Sequence, residues 1–440
     1  MNSKTLRTGL SLVLLAMTLA GCASYSGLNT EGVSLEAKNL KAGQSLSGVT
    51  LSPAAWPKSD WWKSLGDPQL DGLIREALHD SPDMQIADAR AHQASAAAYA
   101  ADAERMPTLD ASAGVSRSRL ARDQDPNGQG DAYSTVRNIS ANFNYNFDLW
   151  GGQRDAWEAA LGQARAAEVD QQAAQLTLAA DVARAYSDLG QAHIVHDLAS
   201  EDLKRTRQML DLSQRRLSSG IDSQYQFQQT ESLQASSEAS LIDAEKRLQS
   251  AKIALAVLLG KGPDRGNEIA RPKILQASAV ALPSVLPAEL LGRRPDLVAA
   301  RWRVEAASKN IDAGKTRFYP NLNLSAAAGA ESLLGDAMFG SASRFFNIAP
   351  TISVPIFDGG RLRADLDARD ADYDLAVAQY NKSLVKALGD VSDTINQLRD
   401  IGRQIGAQQH ATDIAQQSYD TVVQRYGSGI GNYLDVLSIE

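Results

Sequence analysis

The chain has 440 residues, 44 of them Lys or Arg and 52 Asp or Glu, which gives a formal net charge of −8 and a pI near 5.3. Mixed-sign charged residues at 22%, hydrophobic residues at 44% and aromatics at 6% exclude a disordered chain and a basic nucleic-acid binder. The single cysteine, Cys22, excludes a disulfide framework and a thiol-built zinc cluster.

The chain opens on Lys4 and Arg7, then an apolar run from Leu10 to Ala20, then Leu19-Ala20-Gly21-Cys22. A basic start, a short apolar stretch and small residues at the cut make residues 1–21 a secretory leader, too short for a membrane span. The L-A-G-C ending resembles a bacterial lipobox, which implies that Cys22 is acylated as the first residue of the mature chain. Ala23 and Ser24 follow without the Asp that favours inner-membrane retention, so the resemblance implies outer-membrane sorting. No later stretch of about 18 apolar residues exists, so a transmembrane helix is not expected.

Residues 22–66 form an acylated N-terminal segment ahead of a first repeat, 67–260. In that repeat a helix starts at Pro82 and closes at Pro107. Apolar residues then take the odd positions from Leu109 to Val115, and again through Ile139, Ala141, Phe143, Tyr145, Phe147 and Leu149, with Ser140, Asn142, Asn144, Asn146 and Asp148 between them. This period of two predicts a strand hairpin over 107–149 with one apolar and one polar face. Gly151-Gly152 opens a proline-free stretch that predicts a helix to about Leu217, roughly 100 Å at 1.5 Å per residue. Val169, Ala173, Leu176, Ala180, Ala183, Ser187, Gly190 and Ile194 recur at steps of four and three, the spacing of a coiled-coil seam of small residues. A turn at Ser218-Ser219-Gly220 leads into an antiparallel helix ending near Gly260.

After a linker at 261–292, residues 293–440 repeat the order. Pro82 to Pro107 aligns with Pro295 to Pro320 at an offset of 213, and Arg216 to Ile221 aligns with Arg425 to Ile430 at 209. Strands are expected from Leu322 to Ala328 and from Ile348 to Ile356, in a hairpin over 320–357. Glu440 pairs with Glu231, so about 29 residues of the final helix are expected beyond the last residue.

Four strands of about ten residues suit a tilted bilayer crossing but are too few to close a barrel, which begins at about eight. Unpaired edge amides in hydrocarbon force closure, so several copies must share one wall, with the Asn and Ser face lining a water-filled lumen.

The two-fold repeat, Trp61-Trp62-Lys63-Ser64-Leu65-Gly66-Asp67-Pro68-Gln69-Leu70, Arg293-Arg294-Pro295-Asp296, Pro355-Ile356-Phe357-Asp358-Gly359-Gly360 and Arg425-Tyr426-Gly427-Ser428-Gly429 closely resemble the TolC-like outer-membrane efflux proteins. The lipobox resembles that of the OprM/NodT-type lipoprotein branch. The resemblance implies an α+β membrane protein of two internal repeats: a homotrimer whose twelve-stranded β-barrel, four strands per protomer, continues as a long α-helical coiled-coil barrel through the periplasm. Segments 23–66 and 262–290 would contribute to an equatorial belt. It implies a passive exit duct in the outer membrane of a Gram-negative bacterium, with a periplasmic adaptor (membrane fusion) protein and an inner-membrane efflux pump as partners. No catalysis is expected, no nucleic acid, no metal, and no cofactor beyond the diacylglycerol and fatty acyl groups on Cys22.

By resemblance, Arg216, Ser219, Gly220, Arg425, Ser428 and Gly429 are adaptor-docking residues at the helical tips. Tyr426 and Asp435 belong to the periplasmic gate. Gly431 stands where the family has an arginine, Ser438 where it has a second aspartate, and Gln226 where the other repeat has an aspartate, so fewer ionic ties are expected at this gate. His193 and His196, spaced i, i+3, are expected as polar positions on a helix surface rather than as ligands. A periplasmic coiled-coil adaptor or scaffold lipoprotein is the competing reading, and it predicts no barrel. The cargo is not legible.

Overall fold

Prolines and glycines set the boundaries of the regular elements in the computed structural model, which describes residues 24–36, 60–119, 121, 133–273, 294–333, 338–431, 436 and 439. Cys22 and Asp435 lie outside the described residues. The helices are α1 (Pro68–Asp80), α2 (Pro82–Ala103), α3 (Gly152–Ser218), α4 (Gln224–Leu258), α5 (Pro295–Thr316) and α6 (Arg361–Gly427). The strands are β1 (Thr108–Arg119), β2 (Tyr133–Phe147), β3 (Asn321–Ser332) and β4 (Arg344–Ser353). Among the described residues, no helix is long and apolar enough to cross a membrane.

Two compact units arise, each drawing on both repeats. The first comprises residues 1–35, 90–170 and 294–383 and holds the sheet. Its strands are antiparallel in the order β1-β2-β3-β4, leaving β1 and β4 as open edges. The four strands expected from alternation are all present, with β1 and β3 running four residues further than their apolar alternation indicated. Leu149, Val354 and Ile356, counted as strand positions, lie outside them: the Leu149 amide turns back to the Phe147 carbonyl at 2.9 Å, and Pro355 has no N–H to donate to a ladder. Pro350 is accommodated within β4 because that strand is an edge.

Register puts one side chain set on each face. Ala111, Ala141 and Ala328 stand opposite one another, as do Phe143, Ala326 and Ile348, and they continue an apolar face with Val115, Leu322 and Ile352. The opposite face carries Ser112, Ser140, Asn142, Asn144, Asn323 and Thr351. There the Ser112 and Ser140 hydroxyls lie 2.9 Å apart, and the Asn142 amide donates to both.

Each hairpin hands over to a long helix by the same device, a Phe-Asp before Gly-Gly. The Asp148 carboxylate accepts from the amides of Gln153 (3.1 Å) and Arg154 (2.9 Å) at the start of α3. Asp358 accepts from Gly360 (3.0 Å) and Leu362 (2.8 Å) at the start of α6, and the Leu362 amide chiefly holds its carboxyl below the usual range. Along α6, the N-terminal segment is held by side chains: the Asp374 carboxylate accepts from the amides of Glu31 and Gly32, and Asn381 bonds both Leu35 N and Val33 O.

The second unit, residues 36–89, 171–293 and 384–440, is helical. Asp67 caps α1 by accepting from the amides of Gln69 and Leu70, with Pro68 in the first turn where its missing N–H costs nothing. Leu70, Leu73, Ile74 and Ala77, on one stripe of α1, pack with Leu178, Val182, Tyr186 and Leu189 of α3 and with Leu255 of α4. The Tyr186 hydroxyl donates to Asp67 at 2.8 Å and accepts from Gln69 at 3.0 Å, and burial together with Asp67 pushes its pKa up. The Trp-Trp to Leu70 motif is thus a cap and a core corner. Of the expected seam on α3, Ala183 is buried within the chain. Leu176, Ser187 and Ile194 are exposed, and the stripe buried within the chain is Leu178, Val182, Tyr186 and Leu189, because the bulkier side chains remove more apolar area from water.

Candidate functional site

The two repeat-related turns in the second unit have the same backbone. At the end of α3, Gly220 adopts φ 71° and the amides of Gly220 and Ile221 return to the carbonyls of Leu217 (3.0 Å) and Arg216 (2.9 Å). At the end of α6, Gly429 adopts φ 77° and the amides of Gly429 and Ile430 return to Tyr426 and Arg425, both at 3.0 Å. This six-to-one, five-to-two closure needs a left-handed residue, which glycine supplies without a Cβ clash. Ser219, Gly220, Ser428 and Gly429 are exposed on the two turns, and each serine hydroxyl is turned back onto a helix carbonyl.

The side chains do not follow the repeat. Arg216 is largely buried and Asp222 almost wholly so, with side-chain exposures of 15% and 2%. The Arg216 Nε lies 3.1 Å from both Asp222 carboxylate oxygens, and its Nη1 donates to the Tyr426 carbonyl at 3.2 Å. The Tyr426 hydroxyl donates to Asp222 at 3.0 Å, while the Arg216 guanidinium sits 4.4 Å from the centre of the Tyr426 ring. Tyr426 is buried against Met209 and Val436. The network therefore joins residues 204 and 210 positions apart, and satisfies a charge pair that would be costly to bury unpaired.

Arg425, the repeat partner of Arg216, is exposed and has no ion pair among the described residues. Its would-be acid is Gly431, where an added Cβ would lie 2.8 Å from the Tyr426 nitrogen. Sequence reading grouped Arg216 with the docking residues and overlooked Asp222, so its count of ionic ties at Tyr426 omits the pair found here. The signal available was an acid six residues after an arginine across a glycine turn. Gln226 is occupied in capping α4, accepting from the Ser223 amide at 2.7 Å. His193, expected on a helix surface, is half-buried. Its Nε2 is buried without a hydrogen-bond partner among the described residues, and burial, then Arg271 and Lys252, push its pKa below the usual histidine value.

Comparison with known proteins gives a consistent result. Residues 73–261 and 286–439 match the family described as outer membrane efflux protein. The fusaric acid resistance protein FusA of Burkholderia cepacia is 36% identical over 84% of this chain and 71% of its own length. The pyoverdine export outer membrane protein OpmQ of Pseudomonas aeruginosa is 31% identical over 98% of this chain and 90% of its own. Among solved structures, the outer membrane protein VceC of Vibrio cholerae superimposes with a TM-score of 0.81 at 34% identity, covering 87% of this chain and 92% of that one.

Proposed function

The chain belongs to the outer membrane efflux protein family and is an outer-membrane efflux channel, and from that premise we propose how its parts divide the work. Its family is one of transport channels rather than enzymes. Three copies close their sheets edge to edge into a twelve-stranded barrel, apolar face to lipid and Asn/Ser face to a wet lumen, which a periplasmic coiled-coil adaptor would not need. One observation carries this reading: a sheet with a mainly apolar and a mainly polar face ends in two unpaired edges, β1 and β4, and hydrocarbon tolerates no unpaired amide row. Acyl chains on Cys22 add an anchor beside the barrel.

The duct is passive. Small organic molecules, of the kind named for the fusaric acid and pyoverdine relatives, are delivered by an inner-membrane pump through a periplasmic adaptor. The adaptor docks on the exposed surfaces of the two turns, Ser219, Gly220, Ser428 and Gly429, with Arg425 as the available cation. Tyr426 and Asp435 guard the periplasmic end, and Arg216 and Asp222 hold Tyr426 in place. Opening then requires the Tyr426 hydroxyl to leave Asp222.

The test uses the detergent-purified chain. A trimer by light scattering, with conductance in planar bilayers that rises in Tyr426→Phe, is the expected result. A monomer, or a trimer that never conducts, overturns the reading. Charge reversal at Arg425 is expected to weaken cross-linking to the adaptor encoded with the pump, and unchanged cross-linking removes that residue from the docking surface.

A further inference from the structure

All charged residues of the four strands are segregated by face. Arg117 and Arg119 on β1, Arg137 on β2 and Arg344 on β4 fall on the apolar face, while Asp110 and Glu331 fall on the polar one. The arginines are also confined to one end. On β1 the apolar residues run from Leu109 to Val115, about 20 Å at 3.3 Å per residue, and the next two positions on that face are Arg117 and Arg119. On β2 the series from Phe147 to Ile139 is followed by Arg137, and on β4 the series from Ile352 to Phe346 is followed by Arg344. Three of the four strands, β1, β2 and β4, therefore reach an arginine where the apolar band of about 25 Å gives out.

The register places them at nearby levels along the sheet. Arg137 stands opposite Val115, so Arg117 is its diagonal neighbour, and Arg344 stands opposite Ala330, which pairs with Ile139. Arg117 lies 5.0 Å from the centre of the Tyr133 ring, an aromatic with an apolar body and a polar tip suited to an interface. Arg137 and Arg344 have no ion pair among the described residues. Strand ends at Thr108, Phe147, Asn321 and Ser353 lead to the helices, so the arginine end is the loop end, the extracellular one in a barrel whose helices lie in the periplasm.

Resting on the barrel reading above, we propose that this arginine belt is a binding site for the anionic phosphate of outer-leaflet lipid. The guanidinium groups of Arg137 and Arg344, with no acid from the four strands on their face and level with the headgroups, present planar donor forks whose N–H groups phosphate oxygens accept. The belt sets the depth of the barrel in the membrane and places a layer of ordered lipid around its mouth.

The experiment delipidates the detergent-purified oligomer, offers it bisphosphorylated lipid A, phosphatidylglycerol or zwitterionic phosphatidylcholine, and counts retained lipids by native mass spectrometry. Lipid A or phosphatidylglycerol is expected to be retained at least tenfold over phosphatidylcholine, and which of the two is held more tightly identifies the source of the phosphate. The preference is expected to vanish in an Arg137→Gln/Arg344→Gln variant and to persist in Glu331→Gln on the other face. Raising salt over wild-type protein is expected to erode it without any substitution. Equal retention of all three lipids by the wild type, or a preference unaffected by the double substitution, overturns the proposal. Bilayer conductance separates this from the channel reading: a variant that conducts and loses lipid preference has kept its barrel, whereas a protein that conducts neither as the wild type nor as Tyr426→Phe refutes the barrel itself.

Discussion

The two helical turns match to within a tenth of an ångström in the bonds from Gly220 and Ile221 and from Gly429 and Ile430, yet one carries a buried charge pair and the other an exposed arginine. Duplication supplied the same glycine-capped scaffold twice. Divergence at two positions then split the tasks. Asp222 against Gly431 decides which arginine is drawn inward, and Leu217 against Tyr426 decides which turn provides the aromatic surface for it. The repeat that makes the fold recognisable is thus a poor guide to its side chains, since what matters at the site is where the copies differ.

Removing the acid is expected to have the largest effect. Asp222→Ala strands the Arg216 charge and should destabilise the tip by about 3 kcal/mol, seen as faster amide exchange at both Ile221 and Ile430. If only Ile221 responds, the turns are not coupled through this network. Forcing the second turn toward the first comes next. Gly431→Ala puts a Cβ against the Tyr426 backbone and should cost about 2 kcal/mol by thermal unfolding of the purified oligomer. A neutral outcome would show that the second turn could have carried a side chain there. Tyr426→Phe removes one hydrogen bond to a charged group and leaves Arg216 paired, for a loss of about 1.5 kcal/mol, measurable by exchange at Ile430. At the bottom of the scale, Arg425→Ala should stay within about 0.5 kcal/mol, because an exposed side chain with no ion pair among the described residues gives up little. A larger loss in the isolated protein would mean that Arg425 has a structural role after all.

Much of the architecture was legible because it is periodic. Alternation at Ile139 to Phe147 can only be a two-faced strand, and a proline-free run punctuated by Gly220 can only be a helical hairpin. Elements whose identity depends on distant partners were not legible. The stripe of α3 that the chain buries against α1 and α4, Leu178, Val182, Tyr186 and Leu189, is selected by those distant partners, so counting steps of three and four within α3 alone did not single it out. Asp222 was passed over for a similar reason. Its partner Tyr426 is 204 positions away, and a lone acid after a turn resembles any solvated carboxylate. The arginine belt was visible residue by residue, but it became a pattern only when pairing put Arg117, Arg137 and Arg344 on one face.

The open edges of the sheet also have a genetic consequence. β1 can meet β4 only across copies, so on the trimeric reading a substitution that spoils either edge is repeated at every seam and damages mixed assemblies as well as pure ones. A cell making equal amounts of intact and edge-broken chain would assemble faultless rings from roughly one in eight combinations. Edge alleles of this protein should therefore be dominant, whereas alleles affecting a helix core should be recessive.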